Sequence, residues 1–470
     1  MTVSSDDRAL LAQAAYQELA RRNLLDYCSL MDPNFISARH LELIAGYLER
    51  LERREIRKLA VTMPPRHGKT RLISQLFASW YLGKHPDHDI ILASYGSELA
   101  EGNSRAVRTL VTDDRFPFPD VGLREDSRSV GRWETRQGAT LIAASVSSGI
   151  TGRGFACGIC DDLVKGRDEA ESEAIRASTR SWFSDVFLTR AAPDAIQIMV
   201  GTRWNAADIM SEVIDREGWV TLNLPLISEG DGDRLSRPAG MWLWPERFGP
   251  NDIPSVDRGE ISSKSFSALY QQAPTPQDGL IIRHEWLKFY KPNELPDHFD
   301  KVVCGLDAAA KTGIANDHSA LITVGVTENR YYVIDLALRR VEFPELRRMT
   351  VAAYEKHSPS AIYIEDTSNA TALIQELRRE SRLPVVAVQA RGSKISRVEG
   401  TSGCYESGRV FIPESSPFTS ALVAQLVGFP GGCRSGDDAV DALTIVLRQL
   451  RRARSELSWA FVNTDPFALR

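Results

Sequence analysis

The chain has 470 residues, a net charge of −5, and 43% hydrophobic and 25% charged residues. That length exceeds one ordinary core and suggests roughly two to four domains; the composition is that of a globular protein, and the acidic balance confines any nucleic-acid contact to a local basic surface. The opening MTVSSDDRALLAQAAYQ has no basic segment followed by an apolar run, and no apolar run approaches the ~20 residues of a membrane span, so neither a signal peptide nor a membrane segment is expected.

From about Leu59 to Trp204, short apolar runs alternate with helical patterns. KLAVTM, DIILASY, ATLIAAS, FACGICDD and DAIQIMVGT read as strands. KTRLISQLFASWYLGK places Leu72, Ile73, Leu76, Phe77 and Trp80 at helical spacing. Such alternation predicts a mostly parallel sheet covered on both faces. Cys157 and Cys160 form a C-x-x-C inside an apolar run, with no second pair and no histidine cluster at metal-ligand spacing. They read as small core residues of a cytosolic chain without disulfides.

Pro and Gly then punctuate PERFGPNDIPSVDRGEISSK and APTPQDGL, and the domain boundary is placed there. Beyond it KVVCGLDAAA, SALITVGVT and RYYVIDLALRRV read as three successive strands. The helix FPELRRMTVAAYEKHS, strand AIYIED, helix NATALIQELRRES, strands PVVAVQA and RVFIP, and a long final helix from DDAVDALTIVLRQL follow. A three-strand meander followed by alternating helices and strands matches the ribonuclease H-like order.

Two groups of residues carry chemistry. VTMPPRHGKTRLI ends as a phosphate loop, Gly68-Lys69-Thr70, although Met63 holds the position of the usual first glycine. A strand precedes it and a helix follows, the context that turns backbone N–H groups and a helix N-terminus toward phosphates. Lys69 would contact the β and γ phosphates, Thr70 would bind Mg²⁺, and Arg66 would add a second cation. In FACGICDDLVK, Asp161 would be the magnesium carboxylate and Asp162 would polarise the attacking water. Thr202 and Arg203 end a third strand near the same edge, where such a residue senses the γ-phosphate. In the C-terminal half, Asp307 on the first strand, Glu365 ending AIYIE and Asp438 opening the last helix stand where a two-metal phosphodiesterase needs its carboxylates. Asp366 is a rival to Glu365, Asp441 lies one turn beyond Asp438, and Asp317 is a possible outer ligand. Lys394 and Arg397 in RGSKISRVEG would meet DNA phosphates.

These residues resemble the large subunit of the tailed-bacteriophage terminases, the motor-nucleases that package DNA into capsids. The resemblance rests on MPPRHGKT, TGRGF shortly before CDDLVK, VGTRW, LYQQAPTPQDG and the acids around Asp307, Glu365 and Asp438. It covers nearly the whole chain. Terminase loops commonly lack the first glycine and carry an arginine where Arg66 stands. The resemblance implies an α/β chain: an additional-strand P-loop ATPase domain over residues 1–250, a linker over 251–295, a ribonuclease H-like nuclease over 296–455 and a tail over 456–470. It implies ATP and Mg²⁺ at Arg66, His67, Gly68, Lys69, Thr70, Asp161 and Thr202, and two Mg²⁺ or Mn²⁺ at Asp307, Glu365 and Asp438. Implied partners are double-stranded DNA, a small terminase subunit and the portal protein of the procapsid, with five copies ringed on the portal vertex in the host cytoplasm and no membrane. In such a ring a neighbour supplies an arginine finger. Arg153, between Gly152 and Gly154, is the candidate, with Arg132 and Arg167 as rivals. The chain departs from the family in carrying Asp162 where Glu is usual. It also shows no adenine-recognising Gln before the loop, where FISARHLELIAGYLERL offers Phe35 and Arg39. The alternatives are a helicase or remodeller with an inactive nuclease-like domain, which needs no acidic triad, and a transposase-like nuclease, which needs its own sequence-reading module.

Overall fold

A computed structural model describes residues 5–462 except 128, 151, 153, 276–279, 309–317, 368–369, 381–382, 391 and 431–435. The chain forms two compact units, Met1–Gly249 with Ser267–Pro276, and Pro250–Phe266 with Gln277–Arg470. The stretch expected as a linker is therefore divided between them: residues 250–266 belong with the second unit and 267–276 with the first.

In the first unit seven strands form one sheet: β1 (Lys58–Thr62), β2 (Ile90–Ser94), β3 (Arg132–Glu134), β4 (Thr140–Ser145), β5 (Phe155–Asp161), β6 (Ala191–Gly201) and β7 (Val220–Asn223), in the order β3-β4-β2-β5-β6-β1-β7. Only β3 runs antiparallel to its neighbour. The five predicted strands form the centre of this sheet. The two missed ones, β3 and β7, are short edge strands whose few residues carry no usable alternation. β1, β2 and β5 are buried almost throughout, as parallel strands covered on both faces must be. Register decides where the chemistry falls. Asp161 lies opposite Val200 and Thr62 opposite Gly201, so β1, β5 and β6 end together at the carboxyl edge of the sheet, where open α/β sheets bind ligands. The expected helix after the loop is present. Its first part, Arg71–Phe77, is wound as a π-helix before the α-helix Ala78–Lys84.

The second unit holds another seven-stranded sheet: β8 (Lys288–Tyr290), β9 (Lys301–Asp307), β10 (Ser319–Thr327), β11 (Arg330–Arg339), β12 (Ala361–Glu365), β13 (Val385–Val388) and β14 (Val410–Pro413), ordered β13-β12-β9-β10-β11-β14-β8. β9, β10 and β11 form the antiparallel meander, and the remaining pairings are parallel. Side-chain alternation splits β9 between two cores. Cys304 and Leu306 join the layer beneath the helices Phe343–His357 and Ala370–Glu380, whereas Val303 joins the layer shared with the helix Asp438–Val462. Asp307 has the parity of Val303. In β12, Ile362 and Ile364 face the first layer, and Ala361 and Tyr363 the second, so Glu365 falls on the same side as Asp307. The helices Lys394–Glu406 and Thr419–Gly428 were not expected from the sequence.

The final helix lies directly on β9. A Cβ built at Gly305 would collide with the Ala442 carbonyl and the Val446 side chain. Gly305→Ala is expected to cost roughly 1–3 kcal/mol by overpacking the helix that carries Asp438. Gly400→Ala, a helical site with nothing within 4 Å of the added carbon, should be neutral or stabilising. Urea unfolding of the two variants beside the wild type checks this.

Candidate functional site

The first centre sits at the carboxyl ends of β1, β5 and β6. Asp161 is buried, and its carboxylate accepts hydrogen bonds from Ser74 Oγ at 2.7 Å, Thr70 Oγ1 at 3.3 Å and Asn103 Nδ2 at 3.4 Å. Burial and the neighbouring Asp162 charge push it up to about 6, against the pull of Ser74, Lys69 and Thr70. Asp162 adopts a left-handed backbone, φ 47°, a strained geometry for a non-glycine residue. Its amide bonds Val200 O and its carbonyl accepts from Tyr95 N, which holds that geometry in place. The Lys69 ammonium reaches Thr202 Oγ1 at 2.7 Å and Asp162 Oδ2 at 3.3 Å. The Thr202 amide donates to Asp162 Oδ1 at 3.2 Å. Lys69, Asp162 and Thr202 thus form one bonded group and Thr70 and Asp161 another, and the two meet where Asp161 and Asp162 are consecutive in the chain.

Other expected residues lie elsewhere. Arg203 turns away into a buried pair with Asp208 at 3.1 Å and also bonds Ser211. Arg66 is exposed on the loop with φ 65°. Arg39 is tied to Leu235 O at 2.7 Å, and Phe35 is half-buried. Arg132 is on the edge strand β3, paired with Glu134 at 3.4 Å. Arg153 and Asp317 lie outside the described residues. Ser74 and Asn103 were missed: a serine one helical turn past Thr70 is a local signal, but Asn103 comes from a separate helix, Ser97–Val111, and leaves none. Cys157 and Cys160 are buried and free, as their apolar setting indicated.

The second centre lies in the other unit. Asp307, Glu365, Asp438 and Asp441 are gathered where β9, β12 and the final helix meet. Burial, then the charges of Asp441, Asp438 and Glu365, push Asp307 up to about 8. Asp438 and Asp441 are also raised, each first by burial. Two cations interleave these acids. Lys394 bonds Asp437 at 2.7 Å and also Asp441. Arg397 bonds Glu365 at 2.6 Å and lies 3.9 Å from Asp441. Lys394 and Arg397, expected to face DNA, thus spend their charges on the acidic cluster. Asp441 Oδ1 is buried without a hydrogen-bond partner among the described residues. Asp366 has the parity of Ile364 and accepts from Thr371 Oγ1 at 3.0 Å, away from the cluster. No three His, Cys, Asp or Glu side chains among the described residues are gathered at ion-binding spacing. The donor chemistry, all carboxylate oxygen with one buried oxygen unpaired, nevertheless suits a hard divalent cation.

A strand-end phosphate loop with an acidic partner in one unit and a ribonuclease H-like sheet with an acidic cluster in the other define an ATPase and a nuclease in one chain. The family described as "Terminase large subunit, T4likevirus-type, N-terminal" matches residues 61–221, and "Terminase RNaseH-like domain" matches residues 304–449. The chain belongs to the terminase large-subunit family, whose members are ATPases and endonucleases of DNA packaging. Among solved structures it is similar to the large terminase of the thermophilic bacteriophage D6E. In one crystal form the TM-score is 0.53 at 10% identity, covering 88% of this chain and 99% of that one. In a second the TM-score is 0.54 at 11% identity, with 86% and 97% covered. In a form complexed with ATP-gamma-S it is 0.51 at 10% identity, with 84% and 94% covered. No curated protein sequence matches the chain. No helix among the described residues is long and apolar enough to cross a membrane.

The raised Asp307 carboxyl gives a pH-dependent test. A carboxylate at about 8 in the folded chain and near 3.9 unfolded keeps its proton in the folded state alone between those values, so stability falls as pH rises from 4 to 8. Asp307→Asn removes this dependence. In EDTA its melting temperature should exceed the wild type's at pH 8, by roughly 1–3 kcal/mol of stability, and the gap should close towards pH 4. Thermal melts across that range check it. Added Mn²⁺ should stabilise the wild type and not the variant.

Proposed function

We propose that the first centre hydrolyses ATP to drive double-stranded DNA into a procapsid and that the second cuts that DNA with two divalent ions. The observation that carries the ATPase assignment is the bonded group Lys69–Asp162–Thr202, joined through the acidic pair to Thr70 and Asp161. Lys69 binds the β and γ phosphates, Thr70 and Asp161 would hold Mg²⁺, and Asp162 orients the attacking water. Asp162 is one methylene shorter than Glu, and its left-handed backbone sets the direction from which its carboxylate approaches. Thr202, bonded to both Lys69 and Asp162, is placed to register whether the γ-phosphate is present. The ATP-gamma-S complex of the D6E enzyme supports a nucleotide at this centre.

Asp307, Glu365 and Asp438 would hold the nuclease ions, with Asp441 beside them. Bound there, such ions would stabilise charge on the attacking and leaving oxygens of the scissile phosphate. Lys394 must give up its pairs with Asp437 and Asp441 for those oxygens to face an ion. Once released, Lys394 and Arg397 are free to meet phosphates. The family resemblance adds the small subunit, the portal vertex, a five-membered ring and action in the host cytoplasm. Arg153, between Gly152 and Gly154, is our candidate for the cation given in trans, with Arg132 and Arg167 as rivals. The acidic cluster argues against a helicase with a chemically inert second domain.

The two activities should separate. Lys69→Ala should lower ATP hydrolysis at least about a hundredfold while leaving Mn²⁺-dependent cutting of plasmid DNA within about twofold of wild type. Asp307→Asn should do the reverse. Parallel phosphate-release and plasmid-nicking assays decide the matter. ATPase activity surviving in Lys69→Ala, or cutting surviving in Asp307→Asn, overturns the corresponding assignment.

A further inference from the structure

One residue past Arg39, the helix Arg39–Glu52 carries a histidine that the chemistry above does not use. His40 and the loop residue His67 are both fully buried. His40 Nε2 lies 3.0 Å from the His67 carbonyl oxygen. A carbonyl only accepts, so Nε2 carries the hydrogen. His67 Nδ1 lies 2.8 Å from the Pro65 carbonyl and is a donor for the same reason. The other nitrogen of each ring, His40 Nδ1 and His67 Nε2, has no partner among the described residues. Burial pushes both imidazoles down to about 4, so both are neutral near pH 7, each with a defined tautomer.

Aromatic rings enclose the pair. His67 stacks on Phe248 at 4.6 Å, His40 meets Trp244 edge-on at 5.1 Å, and the Arg247 guanidinium covers both Trp244 and Phe248. The next residue of the helix, Leu41, packs against the loop glycine; a Cβ at Gly68 would lie 3.2 Å from it.

The loop needs such an anchor. Arg66 at φ 65° and Gly68 at φ 91° flank His67. A left-handed non-glycine residue persists only where its surroundings over-determine it, and Met63 stands where phosphate loops usually place a glycine. We propose that His40 is a positioning residue for the phosphate loop: with His67 it clasps the backbone of Pro65 to Gly68 in the shape that turns Lys69 and Thr70 toward a nucleoside triphosphate. This rests on the ATPase reading.

Two measurements on the full chain test it. NMR of ¹⁵N-histidine-labelled protein at pH 7 without nucleotide, assigned with His40→Gln and His67→Gln, should show His40 protonated at Nε2 alone and His67 at Nδ1 alone. Opposite tautomers or doubly protonated rings overturn the clasp, and this readout stands even where a variant folds poorly. In the second, His40→Leu fills the space without a donor, whereas His40→Gln keeps an N–H near the same point. His40→Leu should raise KM for ATP and weaken binding of a fluorescent ATP analogue by about tenfold, with kcat within about twofold, and His40→Gln should recover most of the loss. Wild-type KM in His40→Leu, or equal damage in both variants, overturns the positioning role. A wild-type chain with the expected tautomers and no ATP hydrolysis overturns the ATPase reading and leaves the clasp geometry standing.

Discussion

Asp161 ends a strand that is buried along its length, and protein donors surround its carboxylate: Ser74, Thr70 and Asn103 on its own oxygens. Asp162 follows at once, and two adjacent acids at a buried edge are costly to fold unless a cation lies beside them. Lys69 is that cation, and it arrives on the phosphate loop. The second sheet repeats the arrangement with different parts. Asp307, Glu365, Asp438 and Asp441 converge, and Lys394 and Arg397 come from a neighbouring helix to compensate them. In each unit the acids to which we assign the chemistry are costly to fold, and basic side chains offset that cost. In the function we propose, the same basic groups are the ones that substrates and ions must engage or displace, so stability and catalysis compete for the same charges.

Most of the framework could be read from the residues. Buried parallel strands are continuous apolar runs, and KLAVTM, DIILASY and FACGICDD appear as β1, β2 and β5. The meander was legible because SALITVGVT and RYYVIDLALRRV are long and closely spaced. Edge strands of three or four residues, such as β3, β7 and β8, carry too few positions to show a period. Glu365 and Asp366 are rivals in the sequence; with β12 placed, adjacent residues face opposite sides and Glu365 shares the side of Asp307. Lys394 and Arg397 were recognised as important, but their partners were not. A basic residue in the first turn of a helix looks the same in sequence whether it faces solvent phosphate or a carboxylate folded back from residue 441.

The phosphate loop shows a different limit. Its strand–loop–helix context and the terminal GKT point to a phosphate loop, and the structure puts Thr202, at the end of the third strand, 2.7 Å from Lys69. What holds the loop in shape comes from His40, Trp244 and Phe248, far apart in sequence and without motif value. The stretch FISARHLELIAGYLERL drew attention for adenine recognition through Phe35 and Arg39. In the fold it is the two residues after Arg39, His40 and Leu41, that touch the loop.

The division of residues 250–276 between the two units bears on how the molecule can be cut apart. Within the second unit, Lys264 pairs with Glu399 at 2.7 Å, Arg409 bonds the Arg258 carbonyl and Arg451 the Glu260 carbonyl. A Cβ on Gly403 would press on the backbone of Ile261 and Ser262. The chain leaves the first unit at Gly249, lays down residues 250–266 on the second, returns for 267–276, and crosses again. A protease acting once cannot free either unit intact, and a fragment begun at residue 296 strips the second unit of a segment that covers its helices Lys394–Glu406 and Asp438–Val462. In this protein the boundary between motor and nuclease is an exchange of chain rather than a hinge point.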